Sequence, residues 1–157
     1  MTAFARLETT ILEPDEELRK FIAASPADGA VVSFVGLARP TDAHHQPIER
    51  LFLAHHPRLT QMSIEGIAVD ALQRFGVSRT LVVHRCGSVV PGEPIVFAAA
   101  ASPHRRAAFE AADYLMDRLK TEALFWKRED TAVSSTWIEP TAGDHADRSR
   151  WSEPCTE

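Results

Sequence analysis

Residues 78–121 constrain the fold more than any other part of the chain. The segment SRTLVVHRCGSVVPGEPIVFAAAAS predicts two apolar strands around a turn at Pro91-Gly92. A helical pattern follows directly, and its apolar positions are Ala108, Ala111, Ala112, Leu115, Met116 and Leu119. Alanine side chains are small, so this helix can lie close to a sheet. The segment therefore predicts a helix packed on paired strands.

The remaining segments alternate between strand and helix patterns. Strands are predicted at residues 4–12, 30–35, 48–56, 125–129 and 135–140. Helices are predicted at 14–24 and at 59–75, the second ended by Gly76. Short turns join several strands, which predicts an α+β fold with a largely antiparallel sheet. We expect a single domain over residues 1–140 and a polar C-terminal tail over residues 141–157.

Charge and composition exclude several classes of function. The formal net charge of −5 argues against non-specific binding to nucleic acid or to an anionic membrane. The N-terminus lacks a basic-then-apolar signal pattern, and no apolar run approaches the roughly 18–20 residues that span a bilayer. Cys86 and Cys155 are isolated, without Cys-x-x-Cys spacing. We therefore expect a cytoplasmic protein without disulfides or a cysteine metal site.

Three bases, His104, Arg105 and Arg106, stand where the helix of residues 103–121 begins, with Ser102 as the predicted cap. The helix dipole places partial positive charge at this end, so bases are unfavourable there. One interpretation is a solvated surface. The other is an anion site, in which free backbone N–H groups and added bases bind a phosphate. The residues alone favour neither.

Lysine is rare in this chain, which has three lysines against fourteen arginines. Lys120 and Lys127 lie seven residues apart, beside the aromatic pair Phe125-Trp126. A lysine can act as acid, base or nucleophile when burial or nearby cations lower its pKa, whereas arginine cannot. The simpler alternative for Lys120 is a charge in solvent at a helix C-terminus.

The histidines do not form a convincing metal site. His44-His45 and His55-His56 are adjacent pairs, and adjacent residues on a strand point to opposite faces. His84 stands in an apolar strand and is predicted to be a core residue with a satisfied hydrogen bond. We predict no metal ligands.

Four segments resemble the large subunit of molybdopterin synthase. They are GAVVSFVGLAR, LAHHP, WIE and the long run VVHRCGSVVPGEPIVFAAAASPHRRAAFEAADYLMDRLKTEALFWKRE. The resemblance implies an α/β hammerhead-type fold and a homodimer that forms the core of a heterotetramer. It also implies a small ubiquitin-like partner at each end, whose C-terminal Gly-Gly thiocarboxylate enters a pocket of the large subunit. This family adds two sulfurs to cyclic pyranopterin monophosphate to make molybdopterin, and requires no cofactor.

The resemblance also implies roles for particular residues. The family's two essential lysines match Lys120 and Lys127. Its phosphate-binding pair and loop arginine match His104, Arg105 and Arg39, with the pocket drawing on both protomers. Neighbouring pocket segments match Leu37-Ala38 and Arg128-Glu129.

The chain departs from the family pattern in three places: Leu37 replaces a common lysine, Pro40 an asparagine and Thr141 an arginine. Two alternatives follow. One is a non-catalytic paralogue that only binds the ubiquitin-like sulfur carrier. The other, from the residues alone, is a small-anion or nucleotide-phosphate enzyme unrelated to molybdenum.

Overall fold

A computed structural model describes residues 1–152, which form eight strands and four helices. The strands are β1 (Thr2–Glu8), β2 (Ala30–Leu37), β3 (Ile48–His55), β4 (Arg79–Arg85), β5 (Gly87–Val89), β6 (Pro94–Ser102), β7 (Phe125–Thr131) and β8 (Ser135–Ile138). The helices are α1 (Pro14–Ala23), α2 (Pro57–Phe75), α3 (Arg105–Thr121) and α4 (Ala142–Ser149). Cys155, predicted to lie in the polar tail, is outside the described residues.

The first sheet has the strand order β1-β4-β6-β2, with β1 parallel to β4 and the other pairs antiparallel. Helices α2 and α3 cover one face, where Ile64, Leu115 and Leu119 pack on Val82 and Ala98. Helix α1 covers the other face, where Phe21 packs on Val83 and Phe97. Residues 98–101 of β6 and Ala108, Ala111 and Ala112 of α3 are buried, as the predicted close packing requires.

The second sheet has the order β5-β3-β7-β8 and is antiparallel throughout. Its own small core contains Ala38, Leu51, Leu53 and Val89. The α+β class with largely antiparallel pairing is confirmed. The structure divides the strands between two sheets, because β5 separates from β4 at Gly87, whose φ of 81° turns the chain away.

Two local predictions about the first layer were wrong. The segment from Ser78 to Ser102 holds three strands and not two. Ser102 does not cap α3: it ends β6 and pairs with Ala30, while His104 occupies the N-cap position. Because pairing with β2 keeps the Ser102 backbone in strand β6, the helix begins later, at Arg105. The prediction that Gly76 ends α2 is confirmed, with its φ of 59° in the left-handed region.

The segment predicted as a polar tail contains helix α4. A capping box starts this helix: the Thr141 hydroxyl accepts from the Asp144 N–H, and the Asp144 carboxylate accepts from the Thr141 N–H. Beyond the helix, Trp151 packs edge-on against Phe75 and Tyr114. The polar residues of α4 therefore lie against α3.

Candidate active site

A cavity of about 480 Å³ lies between the second sheet, the end of α3 and the start of α4. Its volume is in the range of small-molecule sites. Apolar side chains form much of the wall, and the charged groups that line it are Arg39, Lys120, Lys127, Glu129, Glu139 and Asp144.

Lys127 lies on β7, whose pairing with β3 and β8 places it opposite Leu53 and Ile138. It is largely buried in the cavity wall. The pKa of Lys127 is lowered to about 8, chiefly by burial and then by the nearby Lys120. This value includes two smaller contributions, an upward one from Asp144 and a downward one from Arg39. Near neutral pH this amine can therefore both give and accept a proton.

Lys120 lies in the last turn of α3 and lines the same cavity. It is exposed, unlike Lys127. A cation is favourable at this helix end, because the last carbonyls carry partial negative charge. The two lysines come from different elements and meet in one cavity.

Leu37, Ala38 and Arg39 also line the cavity, where β2 ends. Ala38 is buried and fixed on both sides, since its N–H donates to the Glu93 carbonyl and its carbonyl accepts from the Gly92 N–H. Arg39 follows this anchored residue and is exposed. The loop arginine thus adds a third cation to the cavity.

Arg128 and Glu129 were predicted together, but the structure brings only Glu129 into the cavity wall. Burial, with a smaller contribution from Asp42, raises the pKa of Glu129, and Arg39 opposes the shift. Arg128 stacks over Phe52 and donates to Asp130 at 2.7 Å. Successive residues of a strand face opposite sides, which accounts for the separation.

His104 and Arg105 lie at the opposite end of α3 from Lys120. Lys120 follows Arg105 by fifteen positions of helix, which is about 22 Å at the usual rise per residue. Both side chains are exposed, and within residues 1–152 neither has an acidic side chain in salt-bridge range. One chain therefore does not bring this pair to the cavity that holds the lysines.

His84 is a buried core residue, as predicted. Its Nδ1 lies 2.8 Å from the Arg85 carbonyl, so Nδ1 carries the proton. Its ring stacks on Phe125 with centroids 4.1 Å apart. Burial lowers the pKa of His84 to about 4, and the charges of Lys127 and Lys120 add to this effect, so the ring is neutral.

Sequence reasoning missed the contribution that the end of β8 and the chain after it make to the cavity. Trp137, Glu139, Thr141 and Asp144 all line the cavity. The one available indication was the pattern Thr141-x-x-Asp144, which resembles a capping box.

Neither a metal cluster nor a membrane span is found in residues 1–152. Histidine, cysteine and carboxylate side chains there form no group of three or more that could hold a metal ion. No helix in the described part of the chain is both long and apolar enough to cross a membrane.

The arrangement is suited to a small anionic molecule with an extended apolar part. Three cations provide charge, and one of them is a lysine with a pKa of about 8.

Comparison with known proteins points to one family. The family model described as MoaE protein matches residues 7–122. The molybdopterin synthase catalytic subunit of Pseudomonas aeruginosa is 42% identical over 148 residues, covering 94% of this chain and 98% of the relative. The protein of the same name from Caulobacter vibrioides is 45% identical over 141 residues, covering 90% and 92%. The solved structure of the molybdopterin biosynthesis MoaE protein from Burkholderia ambifaria superposes with a TM-score of 0.81 at 33% identity, covering 98% of this chain and all of that one.

Proposed function

The chain belongs to the MoaE protein family, and we propose that it is the catalytic subunit of a molybdopterin synthase. It transfers sulfur from a thiocarboxylated small ubiquitin-like subunit to cyclic pyranopterin monophosphate. The product is the dithiolene of molybdopterin. Two relatives that are aligned over nine-tenths of this chain or more bear the name of that catalytic subunit.

The observation that carries this proposal is the meeting of Lys120 and Lys127 in one cavity. The chain has only one other lysine, Lys20, which lies on α1 and forms a surface pair with Glu16. Two ammonium groups beside apolar walls suit a reaction that develops negative charge on an acyl oxygen.

We assign two roles to the lysine pair. A thiocarboxylate that gives up its sulfur passes through an oxyanion, and a nearby ammonium stabilises that charge. Opening a cyclic phosphate and replacing oxygen by sulfur also require protons to move. Lys127 is suited to proton transfer because its pKa of about 8 is close to neutral pH. Lys120 lines the same cavity, and we assign it a share in both roles.

Substrate binding is assigned to the cavity wall and to a second copy of the chain. Arg39, the segment Leu37-Ala38 and Glu129 provide the part of the wall assigned to the substrate. His104 and Arg105 face solvent at the other end of α3, so we infer that the pair reaches the cavity of a neighbouring protomer. There it binds the substrate phosphate at a helix N-terminus. Arg128 faces the other side of β7, where it pairs with Asp130, so we assign it no contact with the substrate.

This assignment makes a homodimer part of the active site. The small subunit then binds at each end of the dimer, which gives a heterotetramer whose carrier C-terminus enters the cavity. Sulfur comes from that partner and the pterin is the substrate, so the account includes no metal or cofactor. We place the reaction in the cytoplasm, and we retain one domain over residues 1–140 as the catalytic unit, with part of the following segment completing its cavity.

The test is an in vitro reaction with the thiocarboxylated small subunit and the cyclic pterin, in which molybdopterin is measured. The proposal predicts two sulfurs transferred per pterin by the wild-type chain. Lys20→Ala is the matched control and is expected to retain full turnover. If the chain binds the thiocarboxylated carrier but forms no molybdopterin, it is a non-catalytic paralogue and the proposal fails.

A further inference from the structure

The first turn of α4 brings a carboxylate to the two lysines. Asp144 lines the cavity together with Lys120 and Lys127. Among the residues of α4, Asp144 is the cavity-lining one. The helix therefore adds a third carboxylate to a wall that also carries Glu129, Glu139 and three cationic side chains.

The position of Asp144 is fixed by its own capping interactions. Its Oδ2 accepts from the Thr141 N–H at 2.8 Å and from the Thr141 hydroxyl at 2.9 Å. Its Oδ1 accepts no hydrogen bond within residues 1–152. Capping thus occupies only Oδ2 of this cavity-lining carboxylate.

Ion pairs fasten α4, and Arg150 directly after it, to α3 and to Glu122 at the end of α3. Arg148 pairs with Glu122, which also pairs with Arg118 of α3. Arg150 donates to Asp113 at 2.6 Å and to Asp117 at 2.8 Å. These contacts hold α4 against the same helix that carries Lys120.

We propose that Asp144 is a positioning residue for the lysine pair, holding a fixed negative charge beside Lys120 and Lys127. This inference rests on the proposed function, since the lysines are the groups on which it acts. Its capping role alone would require only a hydrogen-bond acceptor at this position. The cavity-facing charge is the additional feature.

The electrostatic effect on Lys127 has a definite sign. Lys120 and Arg39 lower the pKa of Lys127, and Asp144 raises it. Glu129 and Glu139 also line the cavity, and the neutral ring of His84 stacks on Phe125 in its wall. Burial alone would raise the pKa of Asp144, but hydrogen bonds from Thr141 and the nearby lysines bring it below its ordinary value. The carboxylate is therefore charged at neutral pH, and its removal must lower the pKa of Lys127.

The test compares Asp144→Asn with Asp144→Glu and with Asp147→Asn. Asparagine keeps an acceptor for Thr141 and removes the charge, whereas glutamate keeps both and is the usual residue at this position of a capping box. Asp147 is an exposed acid on the same helix, and its carboxylate has no hydrogen bond in the described part of the chain. It serves as the matched control.

The readout is competitive acetylation of the full-length chain with acetic anhydride across pH, with Lys127 followed by mass spectrometry. We expect Asp144→Asn to lower the pKa of Lys127 by about 0.5, a roughly threefold rise in neutral amine at pH 7, typical of a partly exposed charge pair. Asp144→Glu and Asp147→Asn should match the wild type. In the assembled enzyme, the limb of the pH–rate profile that reports Lys127 should move to lower pH in Asp144→Asn.

The outcomes separate this inference from the proposed function. If Lys127 titrates identically in Asp144→Asn and the wild type, Asp144 only caps α4 and the inference is overturned, whatever happens to turnover. If the titration moves as expected but the wild-type chain makes no molybdopterin, the coupling stands and the proposed function fails.

Discussion

Replacing Lys127 by methionine should stabilise the fold while abolishing turnover. Burial and the neighbouring cations lower the pKa of Lys127 from 10.5 to about 8. A pKa difference of one corresponds to 1.36 kcal/mol, so the buried ammonium costs the folded state about 3 kcal/mol at pH 7. Methionine keeps an unbranched apolar stem of similar length and carries no charge.

The gain in stability from Lys127→Met must decrease as the pH rises. The folded-state pKa lies below the unfolded-state value, so between about 8 and 10.5 the unfolded chain binds a proton that the folded chain has released. The stability of the wild type therefore rises with pH through this window, relative to the variant. The advantage of methionine is full below pH 8 and shrinks above it.

Urea unfolding at fixed protein concentration, at pH 7 and near pH 9.5, measures both effects. We expect Lys127→Met to be more stable than the wild type by about 2–3 kcal/mol at pH 7 and by clearly less near pH 9.5. Lys20→Met is the control, because Lys20 is exposed and its pair with Glu16 at 3.1 Å is of a kind worth about 0–1 kcal/mol. A Lys127→Met variant that is less stable than the wild type, or equally stabilised at both pH values, would refute the reasoning.

Three further predictions concern separate parts of the molecule. Arg105→Ala should weaken substrate binding by about 1.5–3 kcal/mol, the worth of a charge-assisted hydrogen bond, and Arg106→Ala should weaken it less. Titration with the cyclic pterin measures both losses. A larger loss in Arg106→Ala than in Arg105→Ala would show that the phosphate does not bind at Arg105. Trp151→Ala should destabilise the fold by about 2–3 kcal/mol in urea unfolding, because the Trp151 ring packs edge-on against Phe75 and Tyr114 with centroids 5.5 Å apart. An unchanged unfolding midpoint would show that this contact does not hold the C-terminal segment in place. Cys86→Ala should retain full turnover, since burial raises the pKa of that thiol and disfavours the thiolate; a folded but inactive variant in the molybdopterin assay would contradict this.

Local patterns in the sequence predicted the main layer of the fold well. An apolar run specifies β6, and a stripe of small apolar residues specifies α3. Both elements have to be buried, and the small alanines allow the helix to lie close to the sheet. Gly76 ended α2 as expected, since few residues adopt a left-handed conformation without strain. Such features depend on neighbours along the chain.

Features that depend on distant contacts were not predictable in the same way. The separation of β5 from β4 depends on pairing between Gly87–Val89 and β3, more than thirty residues earlier in the sequence. Ser102 is a good helix cap by residue type, but pairing with Ala30 keeps it in β6. In both cases a tertiary contact overrides the local preference.

In the candidate site, too, the sequence indicated some residues and missed others whose positions depend on distant contacts. Lysine scarcity and the family resemblance singled out Lys120 and Lys127, and the structure places both in one cavity. Arg128 and Glu129 are adjacent in sequence, yet the alternation of β7 separates them. Asp144 escaped notice because a polar segment without apolar periodicity gives little indication of where it packs.

Single-turnover sulfur transfer in the assembled enzyme tests the central claim, that the lysine pair performs the chemistry. Wild type, Lys120→Arg and Lys127→Arg would each be mixed with thiocarboxylated small subunit and cyclic pterin, and both the carrier and the pterin product followed by mass spectrometry. Arginine keeps the positive charge but cannot exchange a proton near neutral pH. We predict that both variants bind the carrier, leave its thiocarboxylate largely intact and form no molybdopterin. Molybdopterin formation at the wild-type rate by either arginine variant would contradict the account, because that lysine would then contribute only its charge.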